Sequence, residues 1–341
     1  MPDPLRSASV SFKRWAWVVA AVAGVALLPA CRQQGSSSSG SGTAKAGKRP
    51  DVYIQVSALG SLEYFYDHKL GMEKAGELFG VKTEYNGPAD LDIPSMVATL
   101  ELAIARKPGG IVVVGFDDAL TPVINKAVDA GIPVVTVDAD LPKSKRVAFV
   151  GTGNFNAGYQ GGLKLGELVG KAGKVALLTK TGQSNLNERI DGYKAALAKF
   201  PKINIVGVEN TESNPAKATQ VASLLLQRHA DLVGIACVEA AGGAGAATAV
   251  KEAGKIGKVK IVAMDRGNAV LRYIDQGVIQ ATVAQQTALM PVYAVAILYQ
   301  LNHLDVAIAT DNAAAGVPGV PKVIDTGVVI VDKTNCRYFL R

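Results

Sequence analysis

The chain has 341 residues, 49% of them hydrophobic and 19% charged, with 36 glycines. That is a globular composition with room for two domains and a large core, and it excludes a disordered or fibrous protein. Of the formal charge of +7, a surplus of two falls in the first thirty residues (Arg6, Lys13 and Arg14 against Asp3), and the rest forms no basic cluster with interleaved aromatics, which argues against a nucleic-acid partner. The three His and three Cys are scattered without metal-ligand spacing, so neither a metal nor a cofactor is expected.

In chain order, Arg6, Lys13 and Arg14 precede the apolar run Trp15 to Ala30, and Cys31 follows directly. A basic segment, a short apolar segment and a small residue before a processing point describe a signal peptide over 1–30. The run is short for a membrane span, which needs about twenty apolar residues. Leu28 to Cys31, LPAC, resembles the lipobox of bacterial lipoproteins, in which the Cys becomes the lipidated first residue of the mature chain; an uncleaved anchor with an incidental Cys is the competing reading. Residues 31–49 then read as lipidated Cys31 and a Gly/Ser-rich tether. Anchor, leash and body imply work in the periplasm or at the outer face of the cell membrane.

From Pro50 apolar strands alternate with helical patterns. Strands are expected at Val52 to Val56, Val81 to Tyr85, Ile111 to Val114, Pro133 to Val137 and Ala148 to Val150, with helices at Tyr64 to Phe79, Ile93 to Ala105 and Leu120 to Ala130 between them. The succession then begins again. Helices at Ala157 to Val169, Asn187 to Phe200, Pro215 to His229, Gly245 to Ala253 and Asn268 to Gln276 alternate with strands at Lys174 to Leu178, Ile203 to Val208, Leu232 to Ala236, Lys260 to Ala263 and Ile279 to Ala284. A helix over Met290 to Leu301, a Gly/Pro-rich crossing linker at Ala313 to Pro321 and one or two strands within Val323 to Val331 close the body. The fold class is α/β, with two doubly wound parallel-sheet lobes joined by a multi-strand hinge. The first lobe takes 50–152 plus 286–317, the second 153–285 plus 318–335, and 336–341 is a tail.

One stretch, Gly131 to Pro142 (GIPVVTVDADLP), sets out the chemistry: a buried β-branched run that stops at Asp138 and Asp140. The carboxyl ends of strands are where open α/β sheets hold ligands. Ile261 to Arg266 (IVAMDR) repeats the pattern and ends at Asp265, so two like lobes face one crevice. An Asp after a strand also caps the next turn or helix, and for each acid alone that reading stands beside the first.

With a signal, a tether and two doubly wound lobes in place, the body from about Asp51 to Asn335 resembles the type I periplasmic binding proteins, in particular those like ribose-binding protein, which serve ABC importers of monosaccharides. VYIQVS, YFYDHKLGMEKAGELFG, GIPVVTVDADLP, VGTGNFNAG, NERIDGY, VAMDRGNAVLRYIDQG and IQATVAQ carry the resemblance. It implies ligand contacts from Ser57 at the end of the first strand, Tyr64 and Phe65 against the sugar ring, Asp138, Arg189 in NERIDGY, Asp265 and Gln285. Glu239 stands near the place of a family Asn. Ala139 replaces the family's Arg after Asp138, Gly115 an Asn and Met264 an aromatic, so the resemblance implies a mode of binding rather than ribose itself.

The residue chemistry agrees. Carboxylates accept from adjacent hydroxyls, Arg donates in a planar fork, and aromatic rings such as Tyr64, Phe65, Tyr66 and Phe116 cover C–H faces. Each residue has a bland reading beside this one: Tyr64 and Phe65 as helix-start core, Arg189 as a surface ion-pair partner and Gln285 at a sheet edge, while for Glu239 and Asp140 the two readings stand level. The function expected is a monomeric solute-binding lipoprotein that captures a monosaccharide or polyol and delivers it to an ABC permease. The alternative is a sensor of the same fold that passes a sugar or furanose signal to a membrane receptor. An enzyme is not expected: Gly151, Gly153 and Gly158 miss the dinucleotide fingerprint at Asn156, and no P-loop, G-x-S-x-G or H-E-x-x-H is present. Cys237 and Cys336 could pair or remain free thiols.

Overall fold

The computed structural model describes residues 49–58, 60, 63–304, 306–312 and 314–340. The apolar run, LPAC and Cys31 lie outside the described residues. Strands β1 (Val52–Val56), β2 (Lys82–Asn86), β3 (Gly110–Val114), β4 (Val134–Val137) and β5 (Ala148–Gly151) alternate with α1 (Glu63–Phe79), α2 (Ile93–Ala105) and α3 (Thr121–Asp129). The second succession runs α4 (Asn154–Leu168), β6 (Ala172–Thr179), α5 (Ser184–Leu197), β7 (Lys202–Asn210), α6 (Pro215–Arg228), β8 (Leu232–Cys237), α7 (Ala240–Glu252), β9 (Lys260–Met264), α8 (Asn268–Asp275) and β10 (Ala281–Gln285). α9 (Leu289–His303), β11 (Val323–Asp325) and β12 (Val328–Asp332) complete it.

Short-range chemistry sets several boundaries. Asp92 accepts from the Ser95 N–H to cap α2, and Asn214 accepts from the Lys217 N–H to cap α6; each helix carries a proline in its first turn, where the missing N–H costs nothing. The β-branched run of β4 is wholly buried, as a central parallel strand requires.

The two sheets have the same order, β2–β1–β3–β4–β5–β11 and β7–β6–β8–β9–β10–β12. All pairings are parallel except β10 with β12. The succession read in each half is therefore a repeat of topology. Both faces of each sheet carry a buried apolar cluster, against α1 and α9 or α2 and α3 in the first lobe, and against α4 and α5 or α6, α7 and α8 in the second.

Three expectations need correction. β11 pairs with β5 in the first sheet, so 318–335 is not all second lobe; the chain crosses between β11 and β12, at Thr326 and Gly327. The Gly/Pro-rich stretch 313–321 crosses nothing, because it joins α9 to β11 within the first lobe. The real crossings, after Gly151, Gln285 and Asp325, are tied to one another: the Thr326 N–H donates to the Gly151 carbonyl at 2.8 Å, the Gly153 N–H to Asp325 Oδ1 at 2.7 Å, and Gln286 Nε2 to the Thr326 carbonyl at 2.6 Å. Finally, the stretch assigned to a tail outside both lobes begins inside the second one, since Cys336 is 1% exposed in the second-lobe core with Phe339 packed against it. Cys237 lies in the same core, and both are free thiols.

α7 begins at Ala240 rather than Gly245. Gly242 and Gly243 lie inside the helix, ahead of its expected start, and their lack of a side chain is used in packing: a Cβ at Gly243 would stand 2.7 Å from the Ala263 Cβ, and one at Gly245 would stand 2.6 Å from the Ala218 Cβ. Among the described residues no helix is long and apolar enough to cross a membrane.

Candidate functional site

Asp138 and Asp265 occupy equivalent places at the ends of β4 and β9, and their backbones match as closely as their sequences. Both are left-handed, φ 65° and 64°, and each N–H donates to the next strand of its sheet, Asp138 to the Val150 carbonyl at 3.1 Å and Asp265 to the Val283 carbonyl at 2.9 Å. A left-handed non-glycine residue costs on the order of 1 kcal/mol and persists only where the surroundings hold it. Here the strand pairing does so, and at Asp265 the Thr282 hydroxyl donates to its carbonyl at 2.6 Å. The turn aims each carboxylate off the sheet end into the crevice.

Each acid has one polar partner. The Tyr64 hydroxyl donates to Asp138 Oδ1 at 2.6 Å. Gln285, the last residue of β10, donates through Nε2 to Asp265 Oδ1 at 2.9 Å and accepts on Oε1 from Arg189 Nη2 at 3.1 Å. Arg189, 5% exposed on α5, also donates through Nε to Asn154 Oδ1 at 2.9 Å and through Nη1 to the Val238 carbonyl at 3.1 Å. One guanidinium therefore joins two crossings, at Asn154 and Gln285, to the carboxylate at Asp265.

Burial dominates the electrostatics. It pushes the Asp265 carboxyl up to about 6, with Asp138 and Glu239 adding to the rise while Arg189 and the Gln285 amide oppose it. The Asp138 carboxyl is likewise raised by burial, against the Tyr64 hydroxyl and Arg189, and the Tyr64 phenol is pushed well up by burial and by both carboxylates. The site holds acids short of donors, as an acceptor site for hydroxyl groups must.

The remaining sequence-predicted residues divide. Glu239 caps α7, accepting on Oε2 from the Ala241 N–H at 2.8 Å and on Oε1 from the Thr211 hydroxyl at 3.1 Å, and it stands close enough to act on Asp265. Phe65 is 2% exposed and packed in the first-lobe core, where it supports the 38% exposed Phe116 edge-on at 5.9 Å. Phe65 is thus packed in the core, and Tyr64, Tyr66 and Phe116 are the rings of this group with surface left. Ser57 is 1% exposed, with its hydroxyl 3.4 Å from the Ala58 carbonyl. Asp140 is spent locally, on Arg146 Nη2 at 2.6 Å and the Thr136 hydroxyl at 2.8 Å.

A cavity of about 130 Å³ adjoins these groups, lined by Tyr64, Asp265 and Gln285 together with Glu63, Asp67, Arg266, Asn268 and Thr287. The last five, and Asn154, escaped the sequence reading. Arg266 directly follows Asp265, and Glu63 and Asp67 lie one helical turn apart around Tyr64, which is the only signal the sequence carries for them. Among the described residues no group of three or more His, Cys, Asp or Glu is arranged to hold a metal ion.

Comparison with known proteins agrees with this geometry. Residues 56–303 match the family model described as periplasmic binding protein domain. The D-allose-binding periplasmic protein of Escherichia coli is 28% identical over 247 residues, which cover 69% of this chain and 79% of that protein. The structure of AraP, an arabinose-binding protein from Geobacillus stearothermophilus, is 34% identical with a TM-score of 0.81, covering 86% of this chain and all of that one. An ABC transporter solute-binding protein from Burkholderia graminis, solved in complex with D-arabinose, is 30% identical with a TM-score of 0.73, covering 86% of this chain and 99% of that one. Two topologically repeated lobes, three tied crossings and a crevice with an acid from each side accord with these matches, and the chain belongs to the family of type I periplasmic binding proteins.

Proposed function

We propose that this protein is a lipid-anchored, monomeric binding protein of an ABC importer, and that its crevice closes on one monosaccharide or polyol. The observation that carries the reading is the opposition of Asp138 and Asp265, one from each lobe, with Arg189 and Gln285 behind the second. A sugar hydroxyl donates to a carboxylate and accepts from a guanidinium or amide, so these groups can be satisfied together only when the lobes meet around a ring of hydroxyls. Tyr64 and Phe116 offer apolar surface for C–H faces. LPAC and the Gly/Ser tether support attachment through Cys31, and the closed form is the shape presented to the permease.

The experiment is a thermal-shift screen of the refolded, ligand-stripped chain against pentoses, hexoses and inositols. A ligand at a hundred times its Kd adds about 2.7 kcal/mol and raises the midpoint by several degrees. One sugar should do this, and Asp138→Asn with Asp265→Asn should abolish the shift. A screen in which no sugar or polyol moves the midpoint removes the reading.

The raised carboxyl of Asp265 adds a pH dependence. Its folded value of about 6 lies above the ordinary 3.8, so the ligand-free protein loses this contribution to stability as pH rises from about 4 through 6, where the buried acid must ionise. Ligand hydroxyls favour the ionised form, so binding releases a proton. Affinity should therefore fall as pH drops below about 6, approaching tenfold per unit. Calorimetric titration at pH 5 and 7, in buffers of different ionisation enthalpy, reads both the affinity and the released proton, and a flat profile would remove Asp265 from the ligand's contacts.

A further inference from the structure

Some contacts that hold the two lobes together need no ligand. Asp67, on α1 and 4% exposed, accepts from the Thr287 hydroxyl at 2.7 Å, in the crossing that leads from β10 to α9, and pairs with Arg266 Nη2 from the opposite lobe. One turn earlier, Glu63 accepts from both the backbone N–H (3.3 Å) and the side-chain amide of Asn268, at the first position of α8. Glu63 and Asp67 are four residues apart and share one face of α1. Arg266 and Asn268 flank Gly267, where α8 begins with the partial positive charge of a helix start.

We propose that these residues form an inter-lobe clasp that sets the open–closed equilibrium of the empty protein, and so scales affinity for every ligand the crevice accepts without choosing among them. The proposal rests on the reading of the crevice as the binding site. Asp67 and Arg266 leave water only when the lobes meet, and each is then compensated by the other. With Arg266 removed, Asp67 keeps the Thr287 hydroxyl but loses the charge that reaches it from the opposite lobe in the closed form alone, which shifts the balance toward the open form. A ligand that binds the closed form sees its affinity reduced by the fraction of protein in that form. Arg266 follows the ligand-facing Asp265 in the same turn, so one lobe movement brings the ligand acid and the clasp cation into place together.

The test takes the full chain with Arg266→Ala, Asn268→Ala, and the exchanged pair Asp67→Arg with Arg266→Asp. Small-angle scattering of the ligand-free proteins should show a larger radius of gyration for both single variants and recovery of compactness in the exchanged pair. D-allose, D-ribose and L-arabinose serve as probes. For each one that binds, the Arg266→Ala affinity should fall about tenfold, through faster dissociation, with the ratios among sugars unchanged. A ligand-free Arg266→Ala protein as compact as wild type overturns the clasp. So does a change in the ratios, which would make Arg266 a ligand contact. If no sugar binds the wild type, the reading of the crevice fails while the scattering still decides the clasp.

Discussion

Replacing Arg189 with Ala should weaken sugar binding by two to three orders of magnitude and leave a folded protein. The side chain is 5% exposed and donates to Asn154 Oδ1, the Val238 carbonyl and Gln285 Oε1, so its loss leaves three acceptors, two of them buried, without their donor. It is also the one cation that opposes the upward shift of both Asp138 and Asp265. Without it both carboxyls move further up, which disfavours the charged acceptors a sugar needs. Breaking a buried charged network by removing one partner costs about 3–5 kcal/mol, and the lower part of that range, about 3–4 kcal/mol, corresponds to roughly two to three orders of magnitude in Kd. Arg189→Lys keeps the charge but not the fork, and should recover only part of the affinity because a single ammonium cannot reach Asn154 and Gln285 in the same geometry. Calorimetric titration beside a thermal melt separates the outcomes. An Arg189→Ala protein that binds within threefold of wild type would reduce Arg189 to a packing residue.

The sequence made the two strand ends legible because a β-branched run that stops at an acid leaves little freedom: the strand must be central, and the acid must stand at its carboxyl end. Asp138 and Asp265 share their backbone geometry for that reason. Arg189 and Gln285 came from the resemblance, and nothing local in NERIDGY says that the guanidinium spans two crossings. What stayed hidden depends on distance along the chain. Glu63 and Asp67 meet Asn268 and Arg266 across about two hundred residues, and only closure of the lobes brings them together. β11 and β12 are separated by two residues yet belong to different sheets, a division that hydrophobic pattern cannot mark. Phe65 and Tyr64 are adjacent aromatics at a helix start, and which one faces the core follows from helix phase against α9 and the first sheet, not from residue type.

The glycines of α4 link packing to binding, and they give the largest stability effect expected. Gly158, Gly162 and Gly166 recur every fourth residue on one face, and α5 lies against that face. A Cβ at Gly158 would stand 1.9 Å from the backbone carbonyl oxygen of Arg189, and one at Gly192 on the facing helix would stand 2.1 Å from the Phe155 carbonyl oxygen. At Gly166 the obstacle is the Phe200 ring at 2.2 Å, a side chain that can turn away. The chemistry of Gly→Ala is the same at each place, and the helix itself prefers Ala by about 1 kcal/mol. The sign is therefore decided by what must move. Gly166→Ala should be close to neutral. Gly158→Ala must push the backbone of α5 away, an overpacking cost of about 3 kcal/mol or more, which in a protein of this size lowers the melting midpoint by roughly 6–12 °C. Because α5 carries Arg189, the same displacement draws the guanidinium from Gln285 and Asn154, so ligand affinity should fall with stability at Gly158 and stay unchanged at Gly166. Thermal melts and sugar titrations of the two variants check both halves. If Gly158→Ala melts within a degree or two of wild type, α4 and α5 do not approach as closely as the structure has them, and the link between glycine packing and the position of Arg189 is lost with it.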